Sequence, residues 1–563
     1  MNSDKLGLFE GEDMPNVETA WLYYQRGIDF NDQINLDDTV KSNRDFFIGK
    51  QWEGVNANGL PTPVFNVLKR VTGFVVASNT TDNLKVNVTM MANAPGADHN
   101  QEIVRVIGDE CDALMERNRI PALVRRFCRA AAVDGDGCLY TYWDPDVDCG
   151  NGIEGAVKTE LIDNTRCYFG NPNSDDVQNQ PYIQITSREI ARRVMRKAKE
   201  NGSADWRNIR PDTDDNQSYG PEKYTDDKVT VLLTLWRSEE DGTIWAYEST
   251  QTATVREPYS LGIRLYPICW LSWDRIENSY HGQAMITGLI PNQLFINKCW
   301  AMSMLSIMRG AWPKIVYDKT RVAKWDNRVG GAIAINGGDV NSVAKVLDPA
   351  PIDPQISQFI SLAVNMTEEC LGATQAALGQ GKAYNTSAIL SLQKAAATPT
   401  ELTKQNLYEA VEDQFRIYLE FIGTYYGVRP VDMEAAVPGL DPMTPPAVQT
   451  KTIPFDFSVV RANPMLLRLD VGASSYYSEL AAMQTLDSAV QAGLIDFRQY
   501  LERIPDSYFP KRRALLNELK GQMGVQPGLT AGAPAPDFGP KQELDITGGR
   551  GYGAAQRAIN AGM

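Results

Sequence analysis

Apolar residues recur at helical spacing through much of this chain, and the points where spacing gives way to alternation divide it into elements. Residues 17–47 and 65–78 read as helices on either side of Pro61 and Pro63. Residues 84–90 (LKVNVTM) alternate and read as a strand. Residues 98–132 form a long helical region broken by Pro121, with Ile103, Ile107, Cys111 and Leu114 on its apolar face. Residues 138–143 (CLYTYW) read as a strand, 144–155 as a turn and 156–162 as the returning strand of a hairpin. A basic helix is expected over 187–201, ended by Gly202, followed by a polar surface loop over 205–227. Further strands are expected at 229–236, 244–247, 252–255 and 266–270.

The next pattern is a helix over 282–308, with Pro291 in the first turn of its second part. Residues 314–318 and 332–335 read as short strands around a Gly-rich turn. Asp353 and Pro354 then open another helix, with Ile356, Phe359, Ile360, Ala363, Met366 and Cys370 at helical spacing. A small β-containing unit, 310–350, is thus inserted between two helices. Residues 371–385 are poor in charge and rich in Gly, Ala and Gln. Beyond them comes a long helical stretch interrupted by Pro399, with Leu407, Val411, Phe415, Tyr418 and Ile422 in series. A strand is expected at 452–460 and short helices at 474–492 and 497–504. The Gly/Ala/Pro-rich segment 524–563 is expected to be disordered. The fold class that results is α+β, mainly helical.

At 563 residues the chain exceeds one ordinary core, so two to four domains are expected. Its formal net charge of −15 argues against a simple basic nucleic-acid binder. The eight cysteines form no CxxC pair, and several lie in apolar runs where a thiol behaves as a small hydrophobe, which points to reduced thiols in a cytosol. No membrane span is expected: the most apolar stretch, 285–308, carries Asn292, Gln293, Asn297 and Lys298.

Enzyme signatures fail on spacing. A phosphate loop around Gly381–Lys382 would need Gly and Ser or Thr where Ala376 and Ala383 stand. The glycines at 548–553 do not give GxGxxG. Asp144, Asp146 and Asp148 have the opening spacing of a Ca²⁺ loop, but Cys149 and Gly155 occupy its Gly and Glu places, so a solvated turn is expected, as for Asp212, Asp214 and Asp215. His99 and His281 lack a Cys or His at ligand spacing, and a structural role is expected for His281. No catalytic residue, cofactor or metal is therefore assigned. Two basic groups, Arg117–Arg119–Arg125–Arg126–Arg129 and Arg188–Arg192–Arg193–Arg196–Lys197–Lys199, suit either DNA or acidic neighbours, and intersubunit ion pairs are the preferred reading. Leu294, Phe295, Trp300, Met304 and Leu305 are more apolar surface than a lone helix pair hides.

The loop at 371–400, LGATQAALGQGKAYNTSAILSLQKAAATPT, held between helices, resembles the tunnel loop of tailed-bacteriophage portal proteins, most like those of short-tailed phages. The segments NRDFFIGKQW (43–52), LPTPVFNVLKR (60–70), AVDGDGCLYTYWDP (132–145), 162–183 and 266–314 follow in the order of that family. The resemblance implies a wing over 1–277, stem helices at 278–309 and 352–371, a clip at 310–351 and a tunnel loop at 372–385. A long kinked helix and return to the wing at 386–465, a crown at 466–523 and the tail complete it. It implies a ring of twelve subunits at one capsid vertex, through which double-stranded DNA enters and leaves. Partners would be the terminase, head-completion or tail-adaptor proteins and the major capsid protein, in a virion assembled in the bacterial cytoplasm. Twelve copies would carry roughly −180 before screening, a wall along which DNA slides without sticking. In the loop, Gly379 and Gly381 would let backbone approach DNA, while Gln380 and Lys382 would touch phosphates. A nucleotide-driven packaging enzyme and another ring-forming virion component stand as alternatives.

Overall fold

The structure is a computed structural model. It describes residues 15–53, 61–80, 84–90, 97–149, 154–212, 227–311, 314–326, 333–347, 354–370, 386–437, 447–462 and 465–471, with single residues at 59, 486, 488, 490, 495, 500 and 501. In chain order these carry α1 (Val17–Gln33), α2 (Leu36–Ile48), α3 (Val67–Asn79), β1 (Leu84–Met90), α4 (Ala97–Arg117), α5 (Ile120–Asp134), β2 (Asp136–Asp148), β3 (Glu154–Ile162), β4 (Cys167–Phe169), β5 (Tyr182–Ile190) and α6 (Ala191–Glu200). There follow β6 (Lys228–Arg237), β7 (Ile244–Ser249), β8 (Thr254–Ser260), β9 (Ile268–Ser272), α7 (Ile290–Ala311), β10 (Lys314–Tyr317), β11 (Ala344–Leu347), α8 (Pro354–Cys370), α9 (Thr386–Tyr425), β12 (Val428–Val437), β13 (Ala447–Asp456), α10 (Val459–Ala462) and β14 (Met465–Val471). One compact unit comprises Met1–Glu434 and Thr450–Gln484; a second, smaller one comprises Ala435–Gln449 and Thr485–Met563.

Besides the two-stranded pairs β1-β14 and β10-β11, two larger antiparallel sheets lie in the larger unit. One has the order β3-β2-β9, with Cys138 opposite both Ile162 and Trp270. The other has the order β4-β5-β6-β7-β8. Phe127 of α5 and Phe415, Tyr418 and Ile422 of α9 are fully buried in the main core beside Ile107, Leu114 and Ile183. A buried polar string crosses that core. Gln414 Nε2 donates to Thr141 Oγ1 at 2.7 Å, Thr141 and Thr159 share a bond of 3.0 Å, and Thr159 meets Tyr418 Oη at 2.6 Å. The three hydroxyls and the Gln414 Nε2 thus find partners inside the core, and the string fixes α9 over β2 and β3.

Local chemistry explains several boundaries. Asn35 and Arg119 adopt left-handed backbone (φ 52° and 50°), which ends α1 before α2 and α4 before α5. The break expected at Pro121 within 98–132 falls at Arg119, with Pro121 in the first turn of α5. The basic helix begins later than expected: residues 187–190 finish β5, paired with 228–231 of β6. The expected turn at 144–155 stays extended to Asp148, which pairs with Glu154. The strand expected at 332–335 is absent from the described part, 333–335, and the partner of β10 is β11, in register Lys314↔Leu347 to Tyr317↔Ala344. Gly337 and Gly338, at φ 71° and 93°, turn the chain between them. The strand expected at 452–460 ends at Asp456 and gives way to α10. β14, for which no strand was expected, pairs antiparallel with β1 from Leu84↔Val471 to Met90↔Met465. The helix expected at 282–308 starts at Ile290, because the chain before it is tied down as described below. Apart from single residues, the helices expected at 474–492 and 497–504 and the tail lie outside the described residues.

Candidate functional site

The insertion of β10 and β11 between α7 and α8 is the feature around which the larger unit changes character. α7 and α8 pack against each other and the β10–β11 pair spans the connection. The first half of α7 belongs to the body. Gln293 and Asn297, one turn apart, are 1% and 0% exposed. Gln293 Oε1 accepts from Val67 N at 3.0 Å, while its Nε2 donates to Phe65 O at 2.8 Å and Asn297 Oδ1 at 2.9 Å. Asn297 Nδ2 donates to Gln51 Oε1 at 2.6 Å, and Gln51 Nε2 to Phe46 O at 3.0 Å. This ladder occupies the orphan groups at the start of α3 and the end of α2 and leaves α7 one register against them. Sequence reasoning saw Gln293 and Asn297 only as marks against a membrane span. Their i, i+4 spacing on an apolar helix was the signal that they share a buried face.

Upstream of α7, His281 is 2% exposed and its Nδ1 lies 2.7 Å from Asp136 Oδ2, while Gly282 N donates to Asp136 Oδ1 at 2.8 Å. Both bonds pin the lead-in to α7 onto the first residue of β2. His281 lies tilted against Tyr280, at 4.0 Å between ring centroids, so its pair with Asp136 is a buried fastening. The structural role expected for His281 is what the geometry gives.

The second half of α7 is different. Between Lys298 and Arg309 there is no charged residue. Met302, Met304, Ile307 and Met308 are exposed, Ile307 at 57%, and Phe295 joins them two turns earlier. Of the other residues expected there, Leu294, Trp300 and Leu305 are half-buried, Trp300 against Phe65 at 4.6 Å. α8 repeats the pattern: no charge precedes Glu368, and Phe359, Leu362 and Met366 are about half exposed. Ile315, Val316 and Tyr317 of β10 extend the apolar surface. The last turn of α8 carries Glu368, nearly buried and placed against the helix dipole; Arg70 of α3 meets it at 3.3 Å. No described helix is long and apolar enough to cross a membrane.

The expected DNA-channel residues Gly379, Gln380, Gly381 and Lys382 lie outside the described residues, as does all of 371–385. Asp144 is a strand residue 2.6 Å from Lys158 Nζ, whose bond holds its carboxyl below the usual range. Among the described residues no group of three or more His, Cys, Asp or Glu is arranged to hold a metal. Burial pushes the thiols of Cys111 and Cys128 up to about 12, which suits their role as core hydrophobes. Arg188, expected on the basic helix face, is a strand residue with a nearly buried side chain, paired with Asp212; Asp212, expected to be solvated, also accepts from Thr230 N at 2.7 Å.

An α+β subunit that presents uncharged apolar helix faces beside an inserted hairpin is a structural component of a larger assembly. The sequence profile described as Phage P22-like portal protein matches residues 23–430, and the chain belongs to that family. It is thus a portal protein of a tailed phage, a virion component through which the genome is packaged and ejected. No curated protein matches the chain.

Proposed function

We propose that α7 and α8 are the stem of this portal, that β10 and β11 belong to its clip, and that residues 372–385 are its tunnel loop. The sheets with α1 to α6 form the wing, α9 is the long helix that returns to it, and 466–523 supply a crown. The observation that supports this reading is the apolar surface of α7 and α8, beside a body whose own core is complete. In a closed ring each subunit covers its neighbour's stem through a heterologous contact. Twelve copies form the ring. The hairpin docks the terminase during packaging and head-completion or tail-adaptor proteins afterwards, and the wing meets the major capsid protein. Ring assembly takes place in the bacterial cytoplasm, and the short-tailed phages are the group it fits best. The mechanism is mechanical and electrostatic: acidic subunits repel phosphate, and Gly379–Lys382 narrow the passage with little bulk.

Electron microscopy of the purified protein, classified by rotational symmetry, tests the proposal. A ring of about twelve subunits with an axial hole is expected. Monomers, or a sheet without a channel, would overturn it.

A further inference from the structure

The outward face of α6 concentrates positive charge in an acidic chain. Ala191, Val194 and Ala198 seat the helix on the five-stranded sheet, in one apolar cluster with Ile209, Val229, Val231, Ala253 and Val255. Because Ile209 shares that cluster, the turn at Trp206–Asn208 and the chain to Arg210 are held on the same sheet as the helix. Arg192, Arg196 and Lys199, at i, i+4 and i+7, form one exposed stripe. Trp206 joins one more cation to the stripe, with Lys199 Nζ 5.7 Å and the Arg207 guanidinium 5.1 Å from its ring.

Pairing within the chain takes up the rest of the basic group. Lys197 meets Glu248 at 2.5 Å, Arg193 meets Glu189 at 3.9 Å, and Arg188 is held by Asp212. Arg192, Arg196 and Arg210 have no carboxylate partner among the described residues. The intersubunit pairing expected for this basic group is thus less needed than its composition implies, since Arg193 and Lys197 of the helix and Arg188 of β5 already have intrachain acids.

We propose that this face binds the phosphate backbone of duplex DNA held against the portal. Charge complementarity suits that occupant, and the guanidinium fork fits phosphate in a bidentate way. No base-reading element accompanies the cations, so binding is independent of sequence and strongly dependent on salt. The proposal rests on the portal reading only for the presence of DNA.

The test uses the full chain and fluorescently labelled random-sequence duplex, titrated at about 50 to 200 mM salt. Replacing Arg192, Arg196 and Arg210 together with Gln is expected to lower affinity at least about tenfold and to flatten the slope of log affinity against log salt by about 2 to 3. The triple Lys variant restores most of the binding, because charge is kept. A control at Arg125→Gln with Arg126→Gln, exposed on α5, leaves affinity near that of the unaltered chain. No DNA binding by the unaltered chain, wild-type affinity in the triple Gln variant, or equal loss in the control would each overturn the proposal. So would a triple Gln variant that keeps its DNA affinity but no longer forms rings, which would assign these cations to a neighbouring subunit. Ring formation is scored separately by microscopy, so failure of the portal reading shows as missing rings whatever the DNA titration gives.

Discussion

The two halves of α7 share a helix and a composition rich in apolar residues, yet they solve opposite problems. In the first, every buried amide is met: Gln293, Asn297 and Gln51 hand hydrogen bonds along to the backbone of α2 and α3. In the second, Met302, Met304, Ile307 and Met308 are exposed. Polar residues specify the half whose partner is fixed by folding, because a misplaced amide costs free energy. Methionines suit the half that the proposed ring would cover with a neighbouring subunit, because an unbranched thioether adapts to whatever surface meets it.

The sharpest way to break that contrast is to charge the exposed half. Ile307→Glu with Phe359→Glu is expected to abolish rings outright while leaving the thermal unfolding of the subunit unchanged; sedimentation and microscopy read the first, calorimetry the second. The converse change lies in the body. Phe415→Ala, at a fully buried site, is expected to cost about 3 to 5 kcal/mol by leaving a cavity, measured by denaturant unfolding, with rings still formed from whatever folds. A smaller effect is expected in the ladder. Gln293→Leu strands Val67 N and Asn297 and costs about 1 to 3 kcal/mol, and hydrogen exchange should quicken over Ile290–Ala301 before it changes over 302–311.

The smallest effect concerns pH. Burial holds the Glu110 carboxyl above its ordinary value of 4.5, in spite of Arg117 at 3.5 Å and the Tyr426 hydroxyl at 3.2 Å. The folded state therefore keeps this proton longer than the unfolded state does. The resulting stability is full below 4.5 and is lost as pH rises through the raised folded value. Glu110→Gln is expected to flatten that part of the stability profile, while ring formation through uncharged faces stays level over the same interval. A ring yield that follows the Glu110 titration would mean that assembly depends on the body as well as on the exposed half.

The elements read from sequence survive where one periodicity rules. Residues 84–90 alternate cleanly and are a strand with those bounds, and Phe415, Tyr418 and Ile422 lie on one buried face of α9. Errors cluster where a distant partner decides. Residues 187–190 are extended because β6 pairs with them, although the sequence runs without a break into ARRVMRKAKE. β11 and β14 each needed a partner from elsewhere in the chain before a four- or seven-residue run could be told from loop. β14, with Met465, Leu467, Leu469 and Val471 on one face, did carry a period-two signal. The Asp136–His281 and Gln51–Asn297 contacts join residues about 145 and 246 apart, and no local pattern encodes such a pairing. The channel loop expected at 372–385 lies outside the described residues.

The pairing of β1 with β14 has a consequence in time. Leu84 leaves the ribosome some 380 residues ahead of Met465, and at about 5 to 20 residues per second that is a wait of roughly 20 to 75 s. Throughout it β1 has no strand to pair with, and the larger unit cannot be finished until nearly the whole chain has been made. Translation itself therefore acts as a clock. Nascent subunits on one message pass the last part of the interval, after Cys370, with their exposed helices already synthesised and their last sheet still open.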